Sequence, residues 1–438
     1  MELIISEIAK YILAVLMIDF TILSFVVFRH QDEGAQNRIF IKQNICMVFI
    51  HFLSFFVLYA VKKDPKLILY YGISQITTLS VIIFYRLVYK TANRLLVNNM
   101  CMLITISFIM LARLSYAKAL RQLLVAIASL IVTSTIPFIL MKFDNLRRFY
   151  YLFAISGILM LTAVLVFSVA INGSKLNITI GGVTFQSSEF VKLLFIFAVS
   201  GILSRSNGIK SILITGVIAG IHIILLVLSR DLGSALIFFM VYTVIIYTAT
   251  GNHLLLFGCL LGGTAAAVTG YKLFSHVRVR VLAFRNPFGT IDNAGYQIAQ
   301  SLFAIGTGGF FGMGLMQGAP EKIPVVVSDF IFSAIAEEMG VLVAGCIILI
   351  CMSCFIMFMN IAIKFKDDFY KLVGTGLAVT YIFQVFLTIG GVVKFIPLTG
   401  VTLPLISYGG NSIMVTLIMF AIIQGMYVNK DRVSGRGY

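Results

Sequence analysis

Charge is scarce in this 438-residue sequence: Lys, Arg, Asp and Glu together make up 11% of it, against 60% hydrophobic side chains and a mean hydropathy of +1.03. A soluble globular protein carries about 25% charged residues, so the shortage excludes that class and implies a polytopic membrane protein. Acid is scarcer still, with 17 Asp and Glu against 33 Lys and Arg and a net charge of +16. The basic surplus is scattered over short loops and forms no stripe. That argues against nucleic acid as a partner and for loops lying against anionic lipid head groups. The six cysteines (Cys46, Cys101, Cys259, Cys346, Cys351, Cys354) all fall in apolar segments, as buried free thiols do. Cys351 and Cys354 form a CxxC with no second pair and no His partner, too little for a metal site. No phosphate-loop, dinucleotide-fold, HExxH or Gly-x-Ser-x-Gly pattern occurs in a credible setting, and no convincing internal repeat supports an inverted-repeat transporter. The N-terminus has Glu2 and Glu7 before its apolar run and Asp19 within it, without the cationic start and cleavage site of a signal peptide. It is expected to be a first span.

What the chain has in abundance is apolar length. Windows of roughly 20 apolar residues, enough to cross ~30 Å of hydrocarbon, recur about thirteen times. Their centres lie near residues 19, 50, 77, 106, 130, 160, 197, 220, 240, 263, 342, 381 and 416. Basic clusters at Arg86, Lys90 and Arg94, at Lys142, Arg147 and Arg148, at Arg205 and Lys210, at Lys364 and Lys366, and at Lys430 and Arg432 all fall on one side when the spans are counted. By the positive-inside rule that side is the cytoplasm. Lys62, Lys63 and Lys66 fall on the other side, against the rule. Residues 1 to about 95 are plain apolar spans whose unusual polar residues are Asp19 and His51; further on, ionisable groups gather at the outer ends of spans.

One connection stands apart. From Ser275 to Ser328 the chain is Gly-rich and polar, it faces outward by the same count, and it ends at Asp329 where the next apolar helix begins. Loops of this length are usually functional or disordered. Arg278, Arg280, Arg285 and Lys322 suit an anionic substrate, and Asp329 suits proton transfer. Two readings of Asp329 stand open and are compatible: a helix cap, and a carboxylate at a low-dielectric cavity edge whose basicity is raised. Glu337 and Glu338 lie about two turns deeper; neighbouring helix positions point about 100° apart, so the two are expected to face different surroundings, one of them in a salt bridge. Glu189 and Lys192 are spaced i,i+3 and can neutralise each other, and Asp231 opens a span beside Arg230 with the same ambiguity between a neutralised pair and a functional acid. Lys394, with Pro397, Pro404, Gly409 and Gly410, leads irregularly into the last span, which implies a cavity wall. Together these residues describe a membrane site for an anionic lipid-linked substrate.

The segments NPFGTIDNAGYQIAQSLFAIGTGGFFGMGL, IPVVVSDFIFSAIAEEMG and KFIPLTGVTLPLISYGGNS resemble the signature segments of the SEDS family (shape, elongation, division and sporulation; the FtsW/RodA/SpoVE proteins). GGVTFQSSEFVK is similar to the family's Gln-Pro-Ser-Glu segment and IMLARLSYAKALRQL to its first hairpin, and the resemblance runs from about residue 98 to the end. It implies an all-α polytopic membrane protein: a ten-span core over residues 96–438, with the outer catalytic loop at 275–328, and about three additional N-terminal spans over residues 1–95. It also implies a peptidoglycan glycosyltransferase that polymerises lipid II (undecaprenyl-pyrophosphate-linked disaccharide pentapeptide) at the outer face of a bacterial cytoplasmic membrane, beside a class B penicillin-binding protein. Asp329 matches the family's proposed catalytic aspartate. Glu189, Lys192, Asp231 and Arg280 match its polar positions, and with Arg278, Gln297, Lys322, Glu337, Lys394 and Ser407 they are the expected substrate contacts. The chain departs from the pattern in three places. Gln-Pro-Ser-Glu reads Gln186-Ser187-Ser188-Glu189, the Glu and His that precede the aspartate are replaced within Ile323–Ser328, and the lysine ten residues before it is Ala319.

The implied reaction joins the 4-hydroxyl of lipid II to the anomeric carbon of the growing strand with inversion, so one base is enough and a glycosidase's second carboxylate is not required. Asp329 is the expected base, and Arg278, Arg280, Lys322 or Lys394 would stabilise the departing pyrophosphate. A divalent cation (Mg²⁺ or Mn²⁺) is the one cofactor expected to assist. A lipid II flippase and a non-catalytic scaffold for the penicillin-binding protein are the alternatives.

Overall fold

In the computed structural model, residues 2–30, 32–142, 146–168, 177–180 and 183–429 are described. In chain order the helices are α1 (Glu2–Val26), α2 (Glu33–Lys62), α3 (Lys66–Val88), α4 (Arg94–Leu114), α5 (Tyr116–Thr133), α6 (Ile136–Lys142) and α7 (Tyr150–Phe167). A hairpin of β1 (Asn177–Ile180) and β2 (Val183–Gln186) follows, antiparallel, with Asn177 opposite Gln186 and Ile180 opposite Val183. Then come α8 (Ser187–Leu203), α9 (Ile209–Leu228), α10 (Leu232–Thr250), α11 (His253–Leu273), α12 (Ser275–Arg285), α13 (Tyr296–Gly308), α14 (Ile331–Ile363), α15 (Asp368–Val392) and α16 (Gly410–Val428). Among the described residues twelve helices are long and apolar enough to cross a membrane. The remaining expected span, near residue 197, is the 17-residue α8. The chain is an all-α multi-pass membrane protein. The hairpin was not foreseen; the Gly173–Leu176 and Gly181-Gly182 parts of its motif, like the basic Lys430 and Arg432, lie outside the described residues.

The outer loop is also more ordered than its composition suggests. The Val-rich stretch after Ser275 forms α12, and the apolar repeat of QIAQSLFAI forms α13, so helices fill much of the connection. The glycines serve close backbone approach. α14 breaks at Gly340 (φ 87°, ψ 164°). The break interrupts the helix ladder, and residues 309–314 supply the missing partners. Met313 N donates to Glu337 O and Gly314 N to Glu338 O (2.9 Å each), while Val341 N donates to Gly309 O (3.0 Å). A Cβ on Gly340 would sit 2.4 Å from Phe310 O, and one on Gly312 (φ 82°) would sit 2.3 Å from Glu338 O, so neither position admits a side chain. Satisfying the broken ladder within protein is what permits irregular backbone at membrane depth.

The chain packs as two compact units. The first comprises Met1–Thr133, Val279–Ile356 and Val385–Leu417, the second Ser134–Arg278, Met357–Gln384 and Ile418–Tyr438. In the first, α4 is the centre, with α2, α3 and α5 against it and nearly every side chain buried. The N-terminal helices are tied to it by polar bonds. Gln43 Nε2 donates to Ser24 Oγ (2.9 Å), Ser24 Oγ to Asn99 Oδ1 (3.0 Å), Asn99 Nδ2 to Ser353 Oγ (3.1 Å) and Asn98 Nδ2 to Gln43 Oε1 (3.1 Å). Lys62, one of the lysines that break the positive-inside pattern, caps the end of α4 by donating to Ala112 O (3.0 Å) and Arg113 O (2.8 Å). His51 and Asp19 are likewise absorbed within this bundle: His51 Nδ1 lies 2.8 Å from Gln75 Oε1, and Cys46 Sγ donates to Asp19 at 3.3 Å. In the second unit α7 packs on α8 and α9, and α10 on α8, α9 and α11.

Candidate active site

Asp329 lies two residues before α14, in a tight turn. Its amide donates to Val325 O (3.2 Å), and Val325 has φ 55°. A β-branched residue at positive φ is a true conformational outlier, and such strain, of order 1–3 kcal/mol, concentrates at functional sites. Three neighbours hold the turn. Tyr408 N donates to Val327 O (2.8 Å), the Ser407 hydroxyl donates to Ser328 O, and Phe330, fully buried, anchors the start of α14. Ser407 is held in turn by Leu403 N (2.9 Å), and its carbonyl accepts from Gln122 Nε2 (3.0 Å). Gly409 N donates to Gln122 Oε1 (3.2 Å). Gln122, buried on α5, thus clamps the segment that clamps the turn.

The carboxylate itself is half-buried and caps no helix amide among the described residues; Ser328 Oγ, beside it, also lies 3.2 Å from Val325 O. Gly400 approaches it closely, a Cβ there falling 3.6 Å from Asp329 Oδ2. Arg280, on α12, donates to Thr399 O (3.0 Å) and Leu398 O (3.4 Å), which places its guanidinium beside the same loop. Burial pushes the Asp329 carboxyl above its ordinary range, and hydrogen bonding from Ser328 and the charge of Arg280 only partly offset that. The result is a carboxylate of raised basicity next to a fixed cation.

The deeper acids bear out one expectation, a salt bridge for one of them, and correct another, that the two face different surroundings. Glu338 pairs with Arg113 Nε (2.7 Å), as a structural salt bridge would, and Arg113 also reaches Gly318 O (3.1 Å) and Glu321 (3.3 Å). Glu337, expected to face elsewhere and to contact substrate, accepts from Ala319 N (2.9 Å) and is buried. Both acids flank Gly318: a Cβ on that glycine would meet Glu338 Cγ at 2.9 Å and Glu337 Cδ at 3.1 Å. The 100° between neighbouring helix positions does not separate them, because the loop backbone, bare at Gly318, slips between the two side chains. Both acids hold the outer loop in place.

Glu189, Lys192 and Asp231 belong to the second unit. Lys192 Nζ, buried, bonds Glu189 Oε2 and Gln384 Oε1 at 2.9 Å each, so this pair is closed on itself. Asp231 caps α10 through Ser234 N (3.1 Å) and accepts from Ser188 Oγ (2.9 Å). Arg278 and Lys322 are exposed, Gln297 is half-buried on the first turn of α13, and Lys394 sits in the turn that ends α15 with φ 58°. Of the expected contacts, the structure therefore brings Arg280 and Ser407 to Asp329, with Ser407 holding backbone. Gln122, Arg113 and Gln384 carry bonds that no motif assigned to them. Their signal was a polar side chain inside an apolar helix, where such groups are costly and rarely idle.

The model of the FtsW/RodA/SpoVE cell cycle proteins matches residues 85–432. The chain belongs to that family. It is 34% identical over 298 residues to the peptidoglycan glycosyltransferase RodA of Mycobacterium tuberculosis, covering 64% of either chain. The chain thus spans just under two thirds of the length of that relative. It is also 34% identical over 285 residues to a probable peptidoglycan glycosyltransferase FtsW of Buchnera aphidicola, covering 62% of this chain and 80% of the relative. A chain from a peptidoglycan synthase complex that coordinates polymerization and crosslinking has the same fold, with a TM-score of 0.67, 23% identity, and coverage of 77% of this chain and 98% of that one. In FtsW/RodA/SpoVE terms, the first helix of the shared core is α4, since the match begins within the last turn of α3.

Proposed function

We propose that this protein is an inverting peptidoglycan glycosyltransferase that polymerises lipid II at the outer face of the bacterial cytoplasmic membrane. The observation that carries the proposal is the Asp329 carboxyl, pushed upward by burial in a strained turn beside Arg280. Asp329 takes the proton from the 4-hydroxyl of the incoming lipid II as that oxygen bonds to the anomeric carbon of the growing strand. The bond from that carbon to the pyrophosphate breaks, and the electron pair leaves with the phosphate. General-base assistance of this kind is worth about 10²–10⁴-fold. Arg280, beside Asp329, would meet the developing negative charge, and Lys322, exposed on the same connection, would add to it. The outward orientation rests on the basic clusters of the opposite loops.

Among the described residues no three His, Cys, Asp or Glu side chains are grouped to hold a metal. A Mg²⁺ or Mn²⁺ ion would be held by the single Asp329 carboxylate together with the substrate's pyrophosphate, whose charge it would offset, and no step is routed through it. A class B penicillin-binding protein as partner is supported by the likeness to a chain of a peptidoglycan synthase complex. The lost family Glu and His before Asp329 favour one further reading, a scaffold that positions such a partner. Purified protein with lipid II, with and without that partner, separates the two. Glycan strands made by wild type and lost in Asp329→Asn, at unchanged folding, support the enzyme. Strands made equally well by Asp329→Asn would remove Asp329 from the chemistry, and none made by wild type under either condition would favour the scaffold.

A further inference from the structure

The first unit contains a second polar recess, at the end of its helices opposite Lys62 and Arg113. A small groove of about 40 Å³, open to its surroundings, runs between α2, α3 and α4. Its polar lining is Asn37, Asn44, Asn98, Arg86 and Arg94, Tyr85 and Tyr89 form part of its aromatic wall, and Ile41 and Ile82 continue it along the apolar helix surface. No acid lines it. Arg94 donates to Asn37 Oδ1, which fixes one guanidinium at the rim, while Arg86 is exposed. Asn44 Oδ1 is buried without a hydrogen-bond partner. A buried orphan acceptor costs roughly 1–3 kcal/mol and calls for a donor that the protein does not supply. Arg38, Lys42 and Lys90 add exposed positive charge around the same end.

We infer that this groove is a binding site for an anionic phospholipid with a hydroxylated head group, such as phosphatidylglycerol. The phosphate meets Arg86 and Arg94, a head-group hydroxyl donates to Asn44 Oδ1, and the acyl chains continue over Ile41 and Ile82. Two arginines in a lining that holds no acid among the described residues select an anion, and bidentate arginine geometry suits phosphate. Basic pockets between membrane helices at the cytoplasmic side are established head-group sites. The apolar continuation commits the occupant to a lipid. A free phosphate would leave that part of the groove unused. Asn37, Ile41, Asn44 and Ile82 precede the family match and Arg86 and Arg94 fall at its start, but no residue of the Asp329 site lines the groove, so the inference does not rest on the glycosyltransferase reading.

The test is native mass spectrometry of the purified full chain in neutral detergent, with phosphatidylglycerol, phosphatidylcholine or inorganic phosphate added. Wild type should retain phosphatidylglycerol over phosphatidylcholine, and Arg86→Ala/Arg94→Gln should lose about tenfold or more of that retention. Arg86→Ala alone, a change at an exposed side chain, should lose part of it, while Lys90→Ala, outside the groove, should retain lipid as wild type does. Equal retention of the two lipids, an equal loss in Lys90→Ala, or full retention by the double variant would overturn the site. Displacement of the lipid by millimolar inorganic phosphate would overturn its assignment to a lipid.

Discussion

At Asp329 two influences oppose each other: removal from water raises the proton affinity of the carboxyl, and the Ser328 hydroxyl and the Arg280 charge lower it, with the balance upward. A base must be unprotonated to act, so activity should fall on the acid side with a midpoint above the ordinary carboxylate range of about 4. The sign for stability is the reverse of the usual acid. Because the folded pKa is raised, the ionised form is the one disfavoured by folding. The penalty is present above the folded pKa and disappears as pH falls through it and below the unfolded value. Asp329→Asn should therefore melt higher than wild type near neutral pH, and the gap should close in acid while polymerisation stays absent at every pH. A melting difference that is constant with pH would mean that Asp329 is not held in the ionised, disfavoured form. Stability exchanged for a poised site in this way is common in enzymes.

At the scale of elements, the position of that carboxylate depends on a relay of backbone bonds from α5 to the turn before α14. Gln122 touches neither Asp329 nor Arg280, but it fixes Ser407 and Gly409, and Ser407 and Tyr408 fix the carbonyls of residues 327 and 328. Hydrogen bonds between membrane helices average about 0.6 kcal/mol, so Gln122→Ala should cost only on the order of 1 kcal/mol of stability. Misplacing a catalytic group by about 1 Å costs on the order of 10²-fold in rate. Gln122→Ala and Ser407→Ala should each lower kcat about 10–100-fold with little change in KM, melting temperature or acid midpoint. The double variant should be no worse than either alone, because both act through one turn. A wild-type kcat in Gln122→Ala would show that the turn holds itself.

The spans and the identity of Asp329 as a candidate were readable because apolar length and a lone acid after a polar loop are local signals. The relay was not, because Gln122 and Ser407 are 285 residues apart and a polar residue in a span does not announce its partner. For the paired acids the salt bridge of one was legible, and only their expected separation failed, for a related reason. Glu337 and Glu338 were judged on an ideal helix, whereas the break at Gly340 and the bare backbone at Gly318 admit the loop between them. The hairpin after α7 escaped because four-residue strands carry too few alternating positions to register as a pattern.

For the whole molecule, the question is what the three helices before the family core contribute. They belong to the same compact unit as α4, α5 and the Asp329 turn. Gln43 and Ser24 satisfy Asn98 and Asn99 inside it, and Lys62 closes the carbonyl end of α4. α1 also reaches the outer loop, where Ser6 Oγ donates to Leu315 O (2.7 Å) and the ring of Tyr11 lies 5.2 Å from that of Phe311. Lipid can replace the apolar part of that packing, since acyl chains are as apolar as leucine. It cannot replace the bonds to Asn98, Asn99 or the α4 carbonyls, because hydrocarbon offers no partner. A chain lacking residues 2–88 should insert in the membrane yet melt at lower temperature in detergent and polymerise lipid II more slowly. Full-length Asn99→Leu should lose stability in the same direction, having broken the network without removing a span. If the truncated chain matched the full one in both melting and polymerisation, α1–α3 would be an appendage, and the buried network would have no part in holding the loop.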